Sequence, residues 1–236
     1  MPYSSKESAE AVILTPDAPP RAAVIWMHGL GADGFDFVPI VEELRLPASL
    51  PVRFIFPHAT PRPVTINNGF VMRAWYDVKG FGPERAEDDA GIRESDVVVI
   101  KLIAQQIAQG IAADKIVIAG FSQGGAMALH TGLRYPQRLA GVMVLSSYLP
   151  LRSSLAKEAS TGNRDVPILM CHGSRDPVLP EELGKASRDF LQHLGYAVEW
   201  HSYPMEHSVC MEEVLDISRW LQARLAQAAG EQIGAA

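Results

Sequence analysis

Ser122 sits inside Gly120-Phe121-Ser122-Gln123-Gly124-Gly125, directly after the apolar run Lys115-Ile116-Val117-Ile118-Ala119. A helix-compatible stretch, residues 126–134, follows. Strand, Gly-x-Ser-x-Gly, then helix is the context of a nucleophile elbow, a sharp turn that exposes a serine hydroxyl at the carboxyl end of a sheet. Side chains at Gly120 or Gly124 would collide with the neighbouring strand or helix. The turn also sets Ser122 at a helix N-terminus, where developing negative charge is favoured.

A serine hydroxyl needs a base, and the base needs an orienting acid. After an elbow the expected chain order is Ser, Asp or Glu, then His. The run Val166 to His172 reads as a buried strand, and Gly173-Ser174-Arg175-Asp176-Pro177 as a turn with Asp176 at its tip. Asp176 is the candidate acid; the competing reading is an Asx turn before Pro177 or a cap for the helix that follows. A shorter strand, Ala197 to Tyr203, leads into Pro204-Met205-Glu206-His207-Ser208, and His207 is the candidate base. His28 and His172 end strands beside glycines and read as hydrogen-bonded structural residues. His58, His130, His193 and His201 read as loop, packing, helix-surface and strand residues.

An oxyanion needs the amide after the nucleophile and a second amide from an early loop. Gln123 supplies the first. The glycine-rich loop Met27 to Gly34 offers Leu30 for the second, and its spacing matches neither of the common phosphate-binding patterns. His201, His207, Cys210 and the Cys171-His172 pair lack the close, regular spacing of a zinc site, so no metal or other cofactor is expected.

These residues need a frame. At 236 residues the chain suits one α/β domain, with a core over about residues 11–227 and a frayed tail from Ala228 to Ala236. Strand-like segments near 12–15, 22–28, 52–56, 115–120, 140–146, 166–172 and 197–203 alternate with helix-like segments near 35–46, 88–109, 123–134, 180–194 and 208–227. That alternation predicts a mainly parallel sheet covered on both faces. In the second helix Ile92, Val99, Ile100, Ile103 and Ile107 form a core-facing stripe. Residues 58–91 fit neither period and carry Phe70, Met72, Trp75, Tyr76 and Phe81 among prolines and glycines. They read as a wall or small lid over an acyl pocket, or as aromatics packed under a loop. Phe70, Met72, Trp75, Leu149, Val178 and Leu179 are the expected pocket lining.

Composition is that of a soluble enzyme, 47% hydrophobic and 20% charged. A net charge of -6 without a basic cluster argues against a nucleic-acid partner. No apolar run approaches the roughly 18 residues of a transmembrane segment. The first residues lack a signal-peptide pattern, and two widely spaced cysteines, 171 and 210, read as reduced thiols in a cytoplasmic protein. A homodimer is left open.

Taken together, His28-Gly29-Leu30-Gly31, Trp75-Tyr76-Asp77, Gly120 to Gly125, His172-Gly173-x-x-Asp176-Pro177-Val178 and Pro204-Met205-x-His207 resemble the acyl-protein thioesterase/carboxylesterase family over about residues 20–225. The resemblance implies an α/β-hydrolase fold with a minimal cap. It also implies Ser122, Asp176 and His207 as a triad, Leu30 and Gln123 as oxyanion donors, and short or medium acyl esters, lysophospholipids or acyl-protein thioesters as substrates. Glu206 departs from the family pattern, in which many members have Gly. A peptidase is disfavoured by the absence of a large inserted cap. A non-catalytic binding protein is disfavoured by the presence of every triad member.

Overall fold

A computed structural model describes residues 2–80 and 86–226. Phe81, in the expected lid, and the tail expected to fray lie outside them. In chain order the elements are β1 (Tyr3–Glu7), β2 (Ala11–Pro16), β3 (Ala22–Met27), α1 (Ile40–Glu43), β4 (Val52–Pro57), β5 (Pro61–Val64), β6 (Phe70–Arg73), α2 (Asp89–Ala108), β7 (Ile116–Phe121), α3 (Gln123–Arg134), β8 (Gly141–Leu145), α4 (Arg152–Glu158), β9 (Ile168–Gly173), α5 (Glu181–His193), β10 (Val198–Tyr203) and α6 (Met211–Ala226). Eight strands form one sheet in the order β1-β2-β4-β3-β7-β8-β9-β10. From β4 to β10 every neighbour pair is parallel; β1 and β2 add an antiparallel edge.

The central strands are buried on both faces, so they read as continuous apolar runs. Along β3, Ala23, Ile25 and Met27 face the layer that holds Ile92, Val99 and Ile103 of α2, Met127 and Leu129 of α3 and Leu191 of α5. The alternate residues Ala22, Val24 and Trp26 face Val41 of α1 and Val214, Ile217 and Leu221 of α6. This period of two, repeated in Ile116, Ile118 against Val117, Ala119, fixes the register of the sheet between its two helical layers. The register brings the carboxyl ends of β3, β7, β8, β9 and β10 to one edge, where loops leave for helices.

The expected helix over residues 35–46 shrinks to α1. Pro39 supplies no amide and clashes with a helical turn before it, so the chain arrives through tight turns instead. In α2, Ile100 lies outside the expected core stripe and is solvent-exposed. Three strands have no counterpart in the sequence periodicity: the edge strand β1 and the hairpin β5–β6, which pairs Pro61 to Val64 with Phe70 to Arg73. The hairpin's turn carries Asn68 at φ 55° and Gly69 at φ 75°, left-handed angles that an Asn-Gly pair adopts readily. Among the described residues no helix is long and apolar enough to cross a membrane.

Glu213 on α6 is fully buried against the strand carrying Cys171, its carboxyl beside the Cys210 backbone and the Cys171 thiol. Burial pushes its carboxyl up to about 8 from an ordinary 4.5, with the Cys210 backbone and the Cys171 thiol offsetting this only slightly. The folded chain thus keeps a proton that the unfolded chain releases. This contribution to stability is complete below pH 4.5 and is lost as pH rises through about 8. Thermal melts from about pH 5 to about pH 9 should therefore show a falling Tm in the parent and a flatter profile in Glu213→Gln, which keeps the shape without the charge. Parallel profiles would refute the assignment.

Candidate active site

Ser122 links β7 to α3 with φ 53° and ψ −120°, a strained conformation for a residue with a side chain. Tight packing holds it there. A Cβ on Gly120 would strike the backbone of Gly124, and one on Gly124 would strike the carbonyls of Met27 and His28 at the end of β3. The Ser122 amide donates to Leu145 O at 2.8 Å, and Ser147 Oγ donates to Ser122 O at 2.6 Å. The hydroxyl therefore leaves the elbow toward the sheet edge, above the N-terminus of α3.

His207 Nε2 lies 2.9 Å from Ser122 Oγ, and its Nδ1 lies 2.6 Å from Asp176 Oδ2. Asp176 divides its carboxylate between two tasks. Oδ1 accepts from the amides of Val178 and Leu179 at 2.8 and 2.9 Å, and Oδ2 faces the imidazole. The Asx turn and the contact with His207 are thus one arrangement, in which the turn aims the second oxygen. Asp176 does not cap α5, whose N-cap is Pro180. Phe121 packs on the His207 ring with centroids 4.7 Å apart, which restrains the imidazole's tilt.

The loop bearing His207 rests on Gly173. A side chain there would collide with the carbonyls of Met205 and Glu206, and Arg175 N donates to Met205 O at 3.1 Å. Glu206 is exposed and does not take a positive φ. Its backbone is open to any residue, which explains why a glycine is dispensable at this position.

The glycine-rich loop after β3, which carries Leu30, is braced by His28. Ala59 N donates to His28 Nε2 at 3.0 Å, so the ring is a neutral Nδ1–H tautomer donating to Gly29 O at 2.7 Å. Burial lowers His28 to about 4 and keeps it neutral. The Trp75 indole donates to His28 O at 2.9 Å, and Gly31, at φ 79°, donates to Arg73 O of β6 at 2.9 Å. Among the described residues the amides of Leu30 and Gln123 meet no protein acceptor. Both residues line the same cavity as Ser122 and His207. His172 is also structural: Nε2–H donates to Leu179 O at 2.8 Å, and burial lowers its pKa.

The cavity holds about 270 Å³. Its apolar walls come from Leu30, Ile66, Val78, Phe121, Val178 and Leu179, with Tyr76 and Tyr148. Four expected lining residues lie elsewhere. Phe70 is 68% exposed on the outer strand of the hairpin, and Met72 sits beside Gly31. Trp75, 1% exposed, and Leu149 belong to the core beneath the site, since a segment anchored by Gln123, His28 and Ser187 turns these side chains inward. Strand periodicity cannot assign side-chain direction across an irregular segment, which is why it misses the neighbours Tyr76 and Val78. It misses the Gln123 side chain too: Oε1 accepts from Trp75 N at 2.8 Å and Nε2 donates to Tyr76 O at 2.7 Å. Among the described residues no group of His, Cys, Asp or Glu is arranged to hold a metal ion.

A mainly parallel sheet with a strained serine elbow, a histidine and a buried carboxylate at its carboxyl edge defines an α/β-hydrolase-like fold. The sequence pattern of the Phospholipase/Carboxylesterase family matches residues 8–225, and the chain belongs to that family. It is a serine hydrolase acting on esters or thioesters. It is 43% identical over 217 residues to acyl-protein thioesterase 1 of Neurospora crassa, covering 88% of this chain and 89% of that one. Among solved structures it is similar to SOBER1 of Arabidopsis thaliana, with a TM-score of 0.83 and 35% identity over 87% of this chain and 99% of that chain. It is also similar to Zea mays acyl-protein thioesterase 2, with a TM-score of 0.80 and 31% identity over 90% and 97% of the two chains.

These placements separate two kinds of aromatic. Trp75→Ala should destabilise the fold by about 3–5 kcal/mol and depress acetyl and octanoyl ester turnover together. Phe70→Ala should leave both Tm and soluble-ester turnover within about twofold of the parent. A Trp75→Ala protein that melts normally and loses only long-chain activity would return Trp75 to the cavity wall.

Proposed function

We propose that Ser122 is the nucleophile, His207 the base and Asp176 the orienting acid of an esterase or thioesterase that works through an acyl-enzyme. The observation that carries this reading is the unbroken chain Asp176 Oδ2, His207 Nδ1, His207 Nε2, Ser122 Oγ, with steps of 2.6 and 2.9 Å. Ser122 Oγ attacks the acyl carbonyl carbon while its proton passes to His207 Nε2. The oxyanion forms against the amides of Leu30 and Gln123, which carry no competing acceptor among the described residues. As the tetrahedral intermediate collapses, the bond to the leaving alcohol or thiol breaks and His207 returns the proton to it. Water, deprotonated by His207, then releases the carboxylic acid and Ser122. Asp176 holds Nδ1–H throughout and stabilises the imidazolium.

The cavity's apolar walls favour an acyl group over a charged or peptidic one. The preferred reading is a carboxylesterase for short to medium acyl chains, with lysophospholipids in the same chemical range. Thioesters of acylated proteins are the second reading, which the names of the relatives from Neurospora crassa and Zea mays favour. A cytoplasmic location agrees with Cys171 and Cys210 being free thiols. Every group invoked lies in one chain, so a homodimer is not required for the chemistry.

Ser122→Ala should lower kcat by roughly 10⁴–10⁶ with little change in Tm. His207→Ala should match it, and the double variant should lose little more, because the residues act as one unit. Asp176→Asn should cost about 10⁴ through the wrong imidazole tautomer. Losses that multiply in the double variant, or a tenth of parental activity in Ser122→Ala, would contradict the assignment. Oxygen and thioester substrates of equal chain length, compared by kcat/KM, decide between the two substrate readings.

A further inference from the structure

Two hollows meet at one pair of tyrosines. The cavity beside Ser122 and a smaller void of about 10 Å³, barely room for one water, share Tyr76, Val78 and Tyr148 as walls. The smaller void is also lined by Lys79, Asp88 and Ile92. The hydroxyls of Tyr76 and Tyr148 lie 2.7 Å apart, a short hydrogen bond between two residues that line both hollows.

Both rings are carried by backbone tied to the elbow. Tyr76 O accepts from the side chain of Gln123, the residue that follows Ser122. Tyr148 follows Ser147, whose hydroxyl donates to the carbonyl of Ser122 itself, and precedes Leu149, whose amide donates to Ser187 Oγ at 2.9 Å. The backbone that carries each tyrosine is therefore tied by hydrogen bonds to the segment that holds Ser122. The hydrogen bond between the two hydroxyls joins the side chains themselves.

We propose that the Tyr76–Tyr148 hydroxyl pair is the stop that sets the longest acyl chain this enzyme accepts. The proposal rests on Ser122 being the acylated residue. Each methylene that enters apolar surroundings favours a longer chain by about fourfold. A chain that reaches the pair must push the hydroxyls apart and press them against methylenes. That breaks a hydrogen bond and sets polar groups against hydrocarbon, which costs more than a methylene gains. Preference should climb with chain length and then break sharply at the pair. Replacing tyrosine by phenylalanine keeps the ring walls and removes that cost, so the stop becomes permeable. The selectivity filter is thus a polar contact within an apolar channel.

The test is kcat/KM for p-nitrophenyl esters from acetyl to dodecanoyl, with the parent, Tyr76→Phe/Tyr148→Phe, Tyr148→Phe alone and Tyr148→Trp. In the double phenylalanine variant the break should move out by about one carbon, the room that the two lost hydroxyls and the small void supply. The ester just beyond the parental break should gain about fourfold in kcat/KM relative to the acetyl ester measured on the same variant. Tyr148→Phe alone should move the break in the same direction, which keeps the test alive if the double variant folds poorly. Tyr148→Trp, with a larger ring, should move it to shorter chains. A break at the same chain length in the parent and both phenylalanine variants would overturn the proposal. Ser122→Ala is measured alongside. If it keeps activity, the assignment of the nucleophile fails. If it is inactive and the length profiles coincide, the stop alone fails.

Discussion

The backbone of Ser122, held at φ 53° and ψ −120°, is the constraint on which the rest of the site depends. A side-chain-bearing residue held there costs on the order of 1–3 kcal/mol and persists only where its surroundings dictate it. Those surroundings are the contact of Gly120 with Gly124, the contact of Gly124 with the end of β3, and the bonds of the Ser122 amide and carbonyl to Leu145 and Ser147. Relaxing the turn would swing the hydroxyl away from His207 and move the first amides of α3. One local strain thus fixes both the Ser122 hydroxyl and the start of α3 at Gln123.

The neighbouring loops take their positions from the same short segment. Gln123 lines the cavity, and its side chain clasps the backbone of Trp75 and Tyr76. Trp75 passes the constraint to His28 O, and His28 passes it to Gly29 and Ala59. Ser147 does the same for the loop after β8. The cavity wall, the loop after β3 and the Ser122 elbow are joined by buried hydrogen bonds, where an unmade bond is expensive. Substitutions well away from Ser122 should therefore disturb its geometry.

The sheet is legible in the sequence because its strands are buried on both faces and bounded by glycine, proline and helical periods. Ser122, Asp176 and His207 stand out because each lies just past a strand, in an order that one sheet edge can gather. Other features depend on contacts that no period encodes. The hairpin β5–β6 has two prolines in four residues of its first strand, which hides it from a strand pattern; Asn68-Gly69 is the signal that marks its turn. Phe70, Trp75 and Leu149 look like pocket residues because they are apolar and near strand ends. The directions of Trp75 and Leu149 are set by Gln123, His28 and Ser187, partners distant in sequence. Tyr76 and Tyr148 are separated by 72 positions, and only the fold reveals that their hydroxyls meet.

The most direct test of the account is to find where an acyl-like electrophile lands. The intact protein is treated with a fluorophosphonate, and the adduct is located by mass spectrometry of its peptides. The account predicts one adduct per chain, on Ser122, formed slowly or not at all in His207→Ala. An adduct on another residue, or no adduct on a protein that still hydrolyses esters, would contradict it.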